Sequence, residues 1–184
     1  MSGDRAGDLT GDRALLARAT GYALEGLAEV PDLDRPTPCP GWDLRTLLVH
    51  LADAADAVTA FARTGDLAPP GPPGRGGADP VAVARDRLLV LLDAASSAAD
   101  GAAARAGAVE VGAHGWDVAR ACGSPRPMPP RLAADLLAMA TSSLPDRVRP
   151  VLFGPPVELP DTAPAEDRLV AFLGRQPVAT APRS

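Results

Sequence analysis

Aromatic residues make up only 3% of this chain, although 46% of its residues are hydrophobic. The core must therefore consist largely of leucine, valine and alanine. Alanine favours helices, whereas strands favour β-branched and aromatic residues. A length of 184 residues suits one domain and leaves little room for two. We therefore predict an all-α protein built around one hydrophobic core.

Apolar residues recur at helical spacing in segments that proline and glycine separate. The clearest segment follows Asp43, a good N-cap residue, and places Leu44, Leu47, Leu48 and Leu51 on one helix face. The same spacing predicts helices over residues 12–28, 43–64, 80–99, 102–122, 130–144 and 164–173. Four long helices and two short ones predict a four-helix bundle with short additional C-terminal helices.

The segments between these helices are predicted to be irregular. Four prolines between Pro31 and Pro40 require a loop, and the Pro- and Gly-rich run at 69–77 is typical of a linker. Only residues 148–159 could hold a strand, and we expect no sheet there. The predicted organisation is a single domain over 12–176, with disordered ends at 1–11 and 177–184.

Charge and hydropathy exclude several functional classes. The formal net charge is -5, so no basic surplus exists to neutralise nucleic-acid phosphates, and we expect no nucleic-acid partner. No apolar run approaches the length of a transmembrane helix, and the N-terminus lacks the apolar core of a signal peptide. We therefore expect a cytoplasmic protein without a membrane partner. Two cysteines are too few for a disulfide framework.

The two histidines lie on different predicted helices. His50 falls at the edge of the leucine face of the second helix, and Glu110 precedes His114 by four residues on the fourth. This spacing places a carboxylate and an imidazole on one helix face. Two imidazoles and one carboxylate resemble an open site for zinc, nickel, iron(II) or manganese. Asp117, one turn beyond His114, could hold the second imidazole nitrogen.

Simpler interpretations of these residues stay open. Glu110 and His114 also fit a surface ion pair, which contributes about 0.2–0.5 kcal/mol to helix stability. His50 also fits a partly buried structural histidine. The small residues around Glu110 and His114 indicate either a pocket or a second helix at close range.

The remaining candidate residues are interpreted as structural. Cys39 lies in a loop between two prolines and is predicted to be inert, and Cys122 is predicted to behave as a small hydrophobic residue. Trp42 and Trp116 are interpreted as packing anchors.

Two motifs resemble the signatures of a known superfamily. Residues 37–51 read TPCPGWDLRTLLVHL, and residues 110–121 read EVGAHGWDVARA. They are similar to the N-terminal domain of mycothiol-dependent maleylpyruvate isomerase, within the wider DinB-like group of metal-binding helical bundles. The segments FGPPV at 153–157 and DRLVAFLGR at 167–175 fit its actinobacterial single-domain branch.

The resemblance implies a DinB-like four-helix bundle in which His50, Glu110 and His114 bind a metal ion and solvent completes the site. Zinc is the expected metal, with nickel, iron or manganese as alternatives, and mycothiol is a candidate co-substrate. The implied reaction is transfer of a low-molecular-weight thiol to an electrophile, or a thiol-assisted isomerisation. The two-domain isomerase has a C-terminal domain that contributes to catalysis. This chain is too short to contain it, so maleylpyruvate isomerisation itself is not expected.

Two alternative functions stay open. One is a metal-dependent Lewis-acid enzyme, such as an isomerase, cyclase or hydrolase of secondary metabolism. The other is a non-catalytic module that binds a metal or a partner protein. In the enzymatic cases we expect a small-molecule substrate as the partner of a monomer or homodimer, together with a thiol if thiol transfer is the reaction.

Overall fold

A computed structural model describes residues 3–66, 79–124, 126–144 and 153–177. These residues contain helices and no strand, so the all-α prediction is confirmed. The helices are α1 (Gly3–Leu27), α2 (Leu44–Thr64), α3 (Pro80–Ser97), α4 (Ala102–Ala121), α5 (Pro130–Ser143) and α6 (Ala165–Phe172). Within the described ranges, no helix combines the length and the apolar character needed to cross a membrane.

Most helix bounds agree with the pattern of apolar residues, and the largest difference is at the N-terminus. Helix α1 begins at Gly3, whereas the sequence predicts a disordered segment up to residue 11. No proline interrupts residues 3–11, so the helix can extend upstream from its anchored second half. The predicted linker at 69–77, the tail at 178–184 and residues 148–152 of the candidate strand lie outside the described residues. Residues 153–159 of that segment are described and form no strand, as expected.

The chain divides into two compact units, residues 1–126 and 127–184, within what the sequence predicts as one domain. In the first unit, α1 packs against α4 and α3, and α2 packs against α3 and α4. These pairings close a four-helix bundle. Its core is rich in leucine and alanine and includes Leu16, Leu27, Leu47, Leu48, Leu51, Leu88 and Leu91.

The loop before α2 is held by its own hydrogen bonds. The Thr37 hydroxyl donates to the Trp42 carbonyl at 2.9 Å, and the Trp42 amide donates to the Cys39 carbonyl at 3.1 Å. Asp43 then caps α2, because its carboxylate accepts the Thr46 amide at 2.7 Å. This loop therefore delivers Cys39 and Trp42 to the start of α2 in a defined arrangement.

Helix α4 is buried along nearly its whole length, and glycine lets its neighbours approach closely. A Cβ atom at Gly115 would lie 3.1 Å from the Cβ and 3.2 Å from the Cα of Ala23 on α1. A Cβ atom at Gly107 would lie 3.2 Å from a methyl group of Leu16. The small residues of α4 therefore allow a neighbouring helix to approach closely. Of the two interpretations of these residues, a pocket or a close helix, the structure supports the close helix.

A buried ion pair also joins the first and fourth helices. Asp12 on α1 is only 3% exposed and accepts a hydrogen bond of 2.6 Å from Arg105 on α4. Arg13 donates to the Ala98 carbonyl at 2.7 Å, just after α3 ends. These contacts hold α1 at one end of the bundle, and the close approach at Gly115 holds it nearer the other.

The second unit contains α5, α6 and an extended segment before α6. Leu136 on α5 and Leu169 on α6 are fully buried, and the Val157 amide donates to the Ala171 carbonyl at 2.9 Å. Gly174 has a φ of +78°, and a Cβ atom there would lie 2.6 Å from the Gly154 backbone. Both conditions favour glycine at the turn after α6.

Candidate metal centre

Helices α2 and α4 bring His50, Glu110 and His114 together. Glu110 Oε1 lies 3.4 Å from His50 Nε2 and 3.1 Å from His114 Nε2. One donor atom from each residue lies within 4.8 Å of the other two, so the group could hold a metal ion. We call these three residues the N2O set, after their two imidazole nitrogens and one carboxylate oxygen.

Both simpler interpretations disagree with this geometry. The His114 side chain is 6% exposed and that of Glu110 is 21% exposed, so the two do not form a surface ion pair. His50 Nδ1 is buried and has no hydrogen-bond partner among the described residues. Leaving such an atom unpaired costs about 1–3 kcal/mol. A histidine retained only for packing is expected to have hydrogen-bond partners for both ring nitrogens. In His50 only Nε2, which faces Glu110, has one.

Asp117 holds the other nitrogen of His114. Its Oδ2 atom lies 3.0 Å from His114 Nδ1, and the residue is fully buried. A carboxylate at this distance fixes the imidazole with its proton on Nδ1 and directs Nε2 toward Glu110 and His50. The structure thus places Asp117 where the sequence predicted it, one turn beyond His114 and against its ring.

The charges of the N2O set stabilise one another. Burial alone would raise the pKa of Glu110, but the charge of His114 and hydrogen bonds from both imidazoles lower it well below its ordinary value of 4.5. Burial alone would lower the pKa of His114, but Glu110, Asp117 and Cys39 raise it well above 6.5. Without metal, these shifts favour a His114 imidazolium paired with the Glu110 carboxylate.

This charge arrangement predicts a pH-dependent stability of the metal-free protein. The raised pKa of His114 contributes stability that is complete below about pH 6.5 and is lost as the pH rises through the native value. The lowered pKa of Glu110 contributes stability above about pH 4.5, lost as the pH falls through its native value. Stability is thus greatest between these pH values and declines above them by up to about 1.4 kcal/mol per pH unit.

Urea unfolding with a chelator present, at about pH 6 and about pH 9, measures the decline. His114→Gln should remove most of the difference between the two pH values. An equal decline in that variant would show that other groups cause it.

Trp42 covers both imidazoles of the N2O set. Its ring centroid lies 4.7 Å from that of His50 and 6.5 Å from that of His114, nearly parallel to the latter at 24°. The sequence predicted a packing anchor, and this half-buried ring does pack, but against the candidate site. Trp116 is 2% exposed and lies in the core beneath Arg120, at 5.3 Å.

Cys39 is the site residue that sequence reasoning missed. Its Sγ atom lies 3.3 Å from Asp117 Oδ2, and Cys39, His114 and Asp117 form a second group of donor atoms within 4.8 Å of one another. The loop position suggested an inert thiol, because nothing local showed that the loop folds onto α4. The motif that joins Cys39 to Trp42 and His50 over twelve residues was the available signal.

The spacing of the N2O set is compatible with a bound metal ion. Bonds of about 2.1 Å in a tetrahedral arrangement place neighbouring donors about 3.4 Å apart. Glu110 Oε1 lies 3.4 and 3.1 Å from the two imidazole nitrogens, and the two nitrogens lie within 4.8 Å of each other. Imidazole and carboxylate together suit zinc, nickel, iron and manganese, so the donor types do not select among these metals.

The first unit is a four-helix bundle in which two imidazoles and a carboxylate meet between two helices. These features define a class of helical proteins able to hold a divalent ion. Comparison with known families places the chain more narrowly. The family model of the mycothiol maleylpyruvate isomerase N-terminal domain matches residues 14–119, more than half of the chain, and the chain belongs to this family.

Two uncharacterized proteins of Mycobacterium tuberculosis are similar to the chain over most of its length. They are MT0763 of strain CDC 1551 and Rv0738 of strain H37Rv, and each is 28% identical over 174 residues. The alignment covers 83% of this chain and 90% of each relative. No solved structure gives a significant match.

Proposed function

We propose that this protein is a metal-dependent enzyme that transfers a low-molecular-weight thiol to a small electrophile or uses the thiol to isomerise it. The observation that carries the proposal is the N2O set, in which donors from two helices lie at coordination spacing with one ring oriented by Asp117. The thiol is proposed because the family description names mycothiol and the family is DinB-like.

The residues divide the work between binding and orientation. His50 Nε2, Glu110 Oε1 and His114 Nε2 would hold the ion, and zinc is the proposed metal, with nickel, iron and manganese as alternatives. Asp117 would keep the proton of His114 on Nδ1, so that Nε2 is free to bind. A bound divalent ion with an open position supplies Lewis acidity, which lowers the pKa of a thiol or water molecule placed there.

Trp42 would limit access of water to the site. Its ring lies against the imidazoles of both His50 and His114, so solvent is excluded from that side. A partly desolvated site strengthens electrostatic interactions and favours thiol over water as the reacting group. The proposed partners are a thiol and a small electrophile, and neither nucleic acid nor a membrane is proposed as a partner. The proposed protein is a cytoplasmic monomer or homodimer.

Asp117→Asn is expected to lower zinc affinity by about 10–100-fold, the usual effect of removing a partner that orients a metal-binding histidine. Asparagine keeps the size of the side chain but loses the negative charge that holds the proton on His114 Nδ1. Competition against a chromophoric chelator measures the affinity. Asp56→Asn is the control and should bind zinc like the parent, because Asp56 lies on the exposed side of α2, where it pairs with Arg87 at 3.3 Å. Equal affinities in the parent and Asp117→Asn would show that Asp117 does not orient His114.

The test of the proposed function combines metal loading with thiol consumption. The protein is loaded separately with zinc, nickel, manganese and anaerobic iron(II), and each form is mixed with a mycothiol-type thiol and a panel of activated alkenes, epoxides and halides. Thiol loss and adduct formation are followed by mass spectrometry. The expected result is turnover that requires both metal and thiol, and that Glu110→Gln abolishes.

The other outcomes point to different functions. Turnover of a substrate that requires metal but consumes no thiol would overturn thiol transfer in favour of Lewis-acid chemistry. A protein that cannot be loaded with any of the four metals would overturn metal-dependent catalysis altogether. The histidines would then serve packing, and a role in binding a partner would remain.

A further inference from the structure

The second donor group lies on the opposite side of the His114 ring from the N2O set. His114 presents Nε2 to Glu110 at 3.1 Å and Nδ1 to Asp117 at 3.0 Å. Asp117 Oδ2 also accepts the thiol hydrogen of Cys39 at 3.3 Å. A single imidazole therefore stands between two groups of donors, and only the second contains sulfur.

We propose that Cys39 Sγ, Asp117 Oδ2 and His114 Nδ1 form a second binding set, for a thiophilic divalent ion, that shares the His114 ring with the N2O set. We call it the sulfur set. Zinc bonds of about 2.0 Å to nitrogen or oxygen and about 2.3 Å to sulfur place tetrahedral donors about 3.3–3.5 Å apart. Asp117 Oδ2 lies 3.0 Å from His114 Nδ1 and 3.3 Å from Cys39 Sγ, close to this requirement, and all three donors lie within 4.8 Å of one another.

Charge balance permits both one and two ions. With the N2O set filled, one divalent ion balances the carboxylates of Glu110 and Asp117, while the Cys39 thiol and the His114 ring stay neutral. A second ion would displace the thiol proton and the Nδ1 proton to solvent, leaving a thiolate and a bridging imidazolate. Two divalent ions then balance four negative groups. Neutrality in both states matters because an uncompensated charge is costly in a buried site.

The residues of the sulfur set differ in their exposure to solvent. Asp117 is fully buried in α4, but Cys39 is half-buried in the loop before α2. The Cys39 end of the sulfur set is therefore its more exposed end. Because it must displace two protons and replace the Nδ1 hydrogen bond, the second ion is expected to bind more weakly than the first.

Ion preference provides the first test. Thiolate favours zinc, cobalt and cadmium, whereas manganese prefers oxygen donors. Equilibrium dialysis should therefore give about two equivalents of cadmium and about one of manganese. A single equivalent of each at saturation would overturn the proposal.

Cobalt identifies the ligand atom directly. A thiolate-to-cobalt charge-transfer band should appear with the second equivalent of cobalt(II), without added thiol. It should be absent in Cys39→Ser and Asp117→Asn, and retained in Cys122→Ser, the matched control with the other free cysteine. His50→Ala should weaken the first equivalent and keep the band. Circular dichroism verifies that each variant is folded.

Three results would contradict the sulfur set. The band could be absent at every loading, or it could be lost in Cys122→Ser, which would place the ion elsewhere. It could also accompany the first equivalent and disappear in His50→Ala, which would make Cys39 a ligand of the first ion. The sulfur set can be tested independently of thiol transfer. A protein that binds two cadmium ions but transfers no thiol would refute the proposed reaction and leave the sulfur set standing.

Discussion

Glu110→Gln is expected to release the metal ion almost completely and to reduce zinc affinity by more than about 100-fold. Losing a residue that only orients a ligand costs about 10–100-fold, and losing a ligand costs more. Glu110 supplies the one anionic donor of the N2O set, and its Oε1 atom lies between His50 and His114. Glutamine preserves the size of the side chain, but its amide is a weak ligand and carries no charge to balance a divalent ion. Elemental analysis of the untagged protein and chelator competition measure the loss.

A matched variant separates loss of the site from a general loss of charge. Glu158 is exposed in the second compact unit, so Glu158→Gln removes the same charge and should keep the metal content of the parent protein. Circular dichroism should show equal helicity in all three proteins. Full zinc retention by Glu110→Gln would exclude Glu110 as a ligand and, with it, the N2O set.

Gly115→Leu is expected to destabilise the first unit by about 3 kcal/mol or more, the upper range for overpacking a close-packed core. A Cβ atom at this position would already lie 3.1–3.2 Å from Ala23 and 3.3 Å from a ring carbon of Tyr22. The remaining atoms of leucine would have to push α1 away from α4. The better helix propensity of leucine returns at most about 1 kcal/mol. Urea unfolding followed by circular dichroism measures the change.

Gly21→Leu is the appropriate control for this prediction. Gly21 also lies within a helix, α1, but apart from its chain neighbours and the nearby backbone of that helix, no atom lies within 4 Å of where its Cβ would be. The same substitution there should be neutral or stabilise the protein by up to about 1 kcal/mol. If both variants were as stable as the parent, the close approach of α1 and α4 at Gly115 would be incorrect. Because Gly115 adjoins His114, zinc affinity should fall together with stability in Gly115→Leu alone.

The helices could be predicted because their signals are local. Asp43 and the leucines that follow it define α2 within a few residues, and Pro80 marks the start of α3. The i,i+4 spacing of Glu110 and His114 likewise places their side chains together on any helix. The start of α1 was less predictable, since residues 3–11 contain neither a clear cap nor a strong apolar face to mark where the helix begins.

The composition of α4 left an ambiguity that only packing resolved. Gly107 and Gly115 fit either a pocket or a close helix, because a missing side chain says nothing about what occupies its place. The structure puts Leu16 against the first and Ala23 against the second. Van der Waals contact across the bundle depends on the position of α1, which no spacing within α4 can express.

Local sequence patterns suffice to predict the all-α class, most helix bounds and the pairing of Glu110 with His114, because each depends on neighbours within a turn or two of helix. Tertiary packing, in contrast, brings His50 to this pair from α2 and brings Cys39 to Asp117 across 78 positions of sequence. Those contacts depend on how α2, its preceding loop and α4 pack together. The free energy that stabilises these contacts comes from packing across the whole core and not from any single motif.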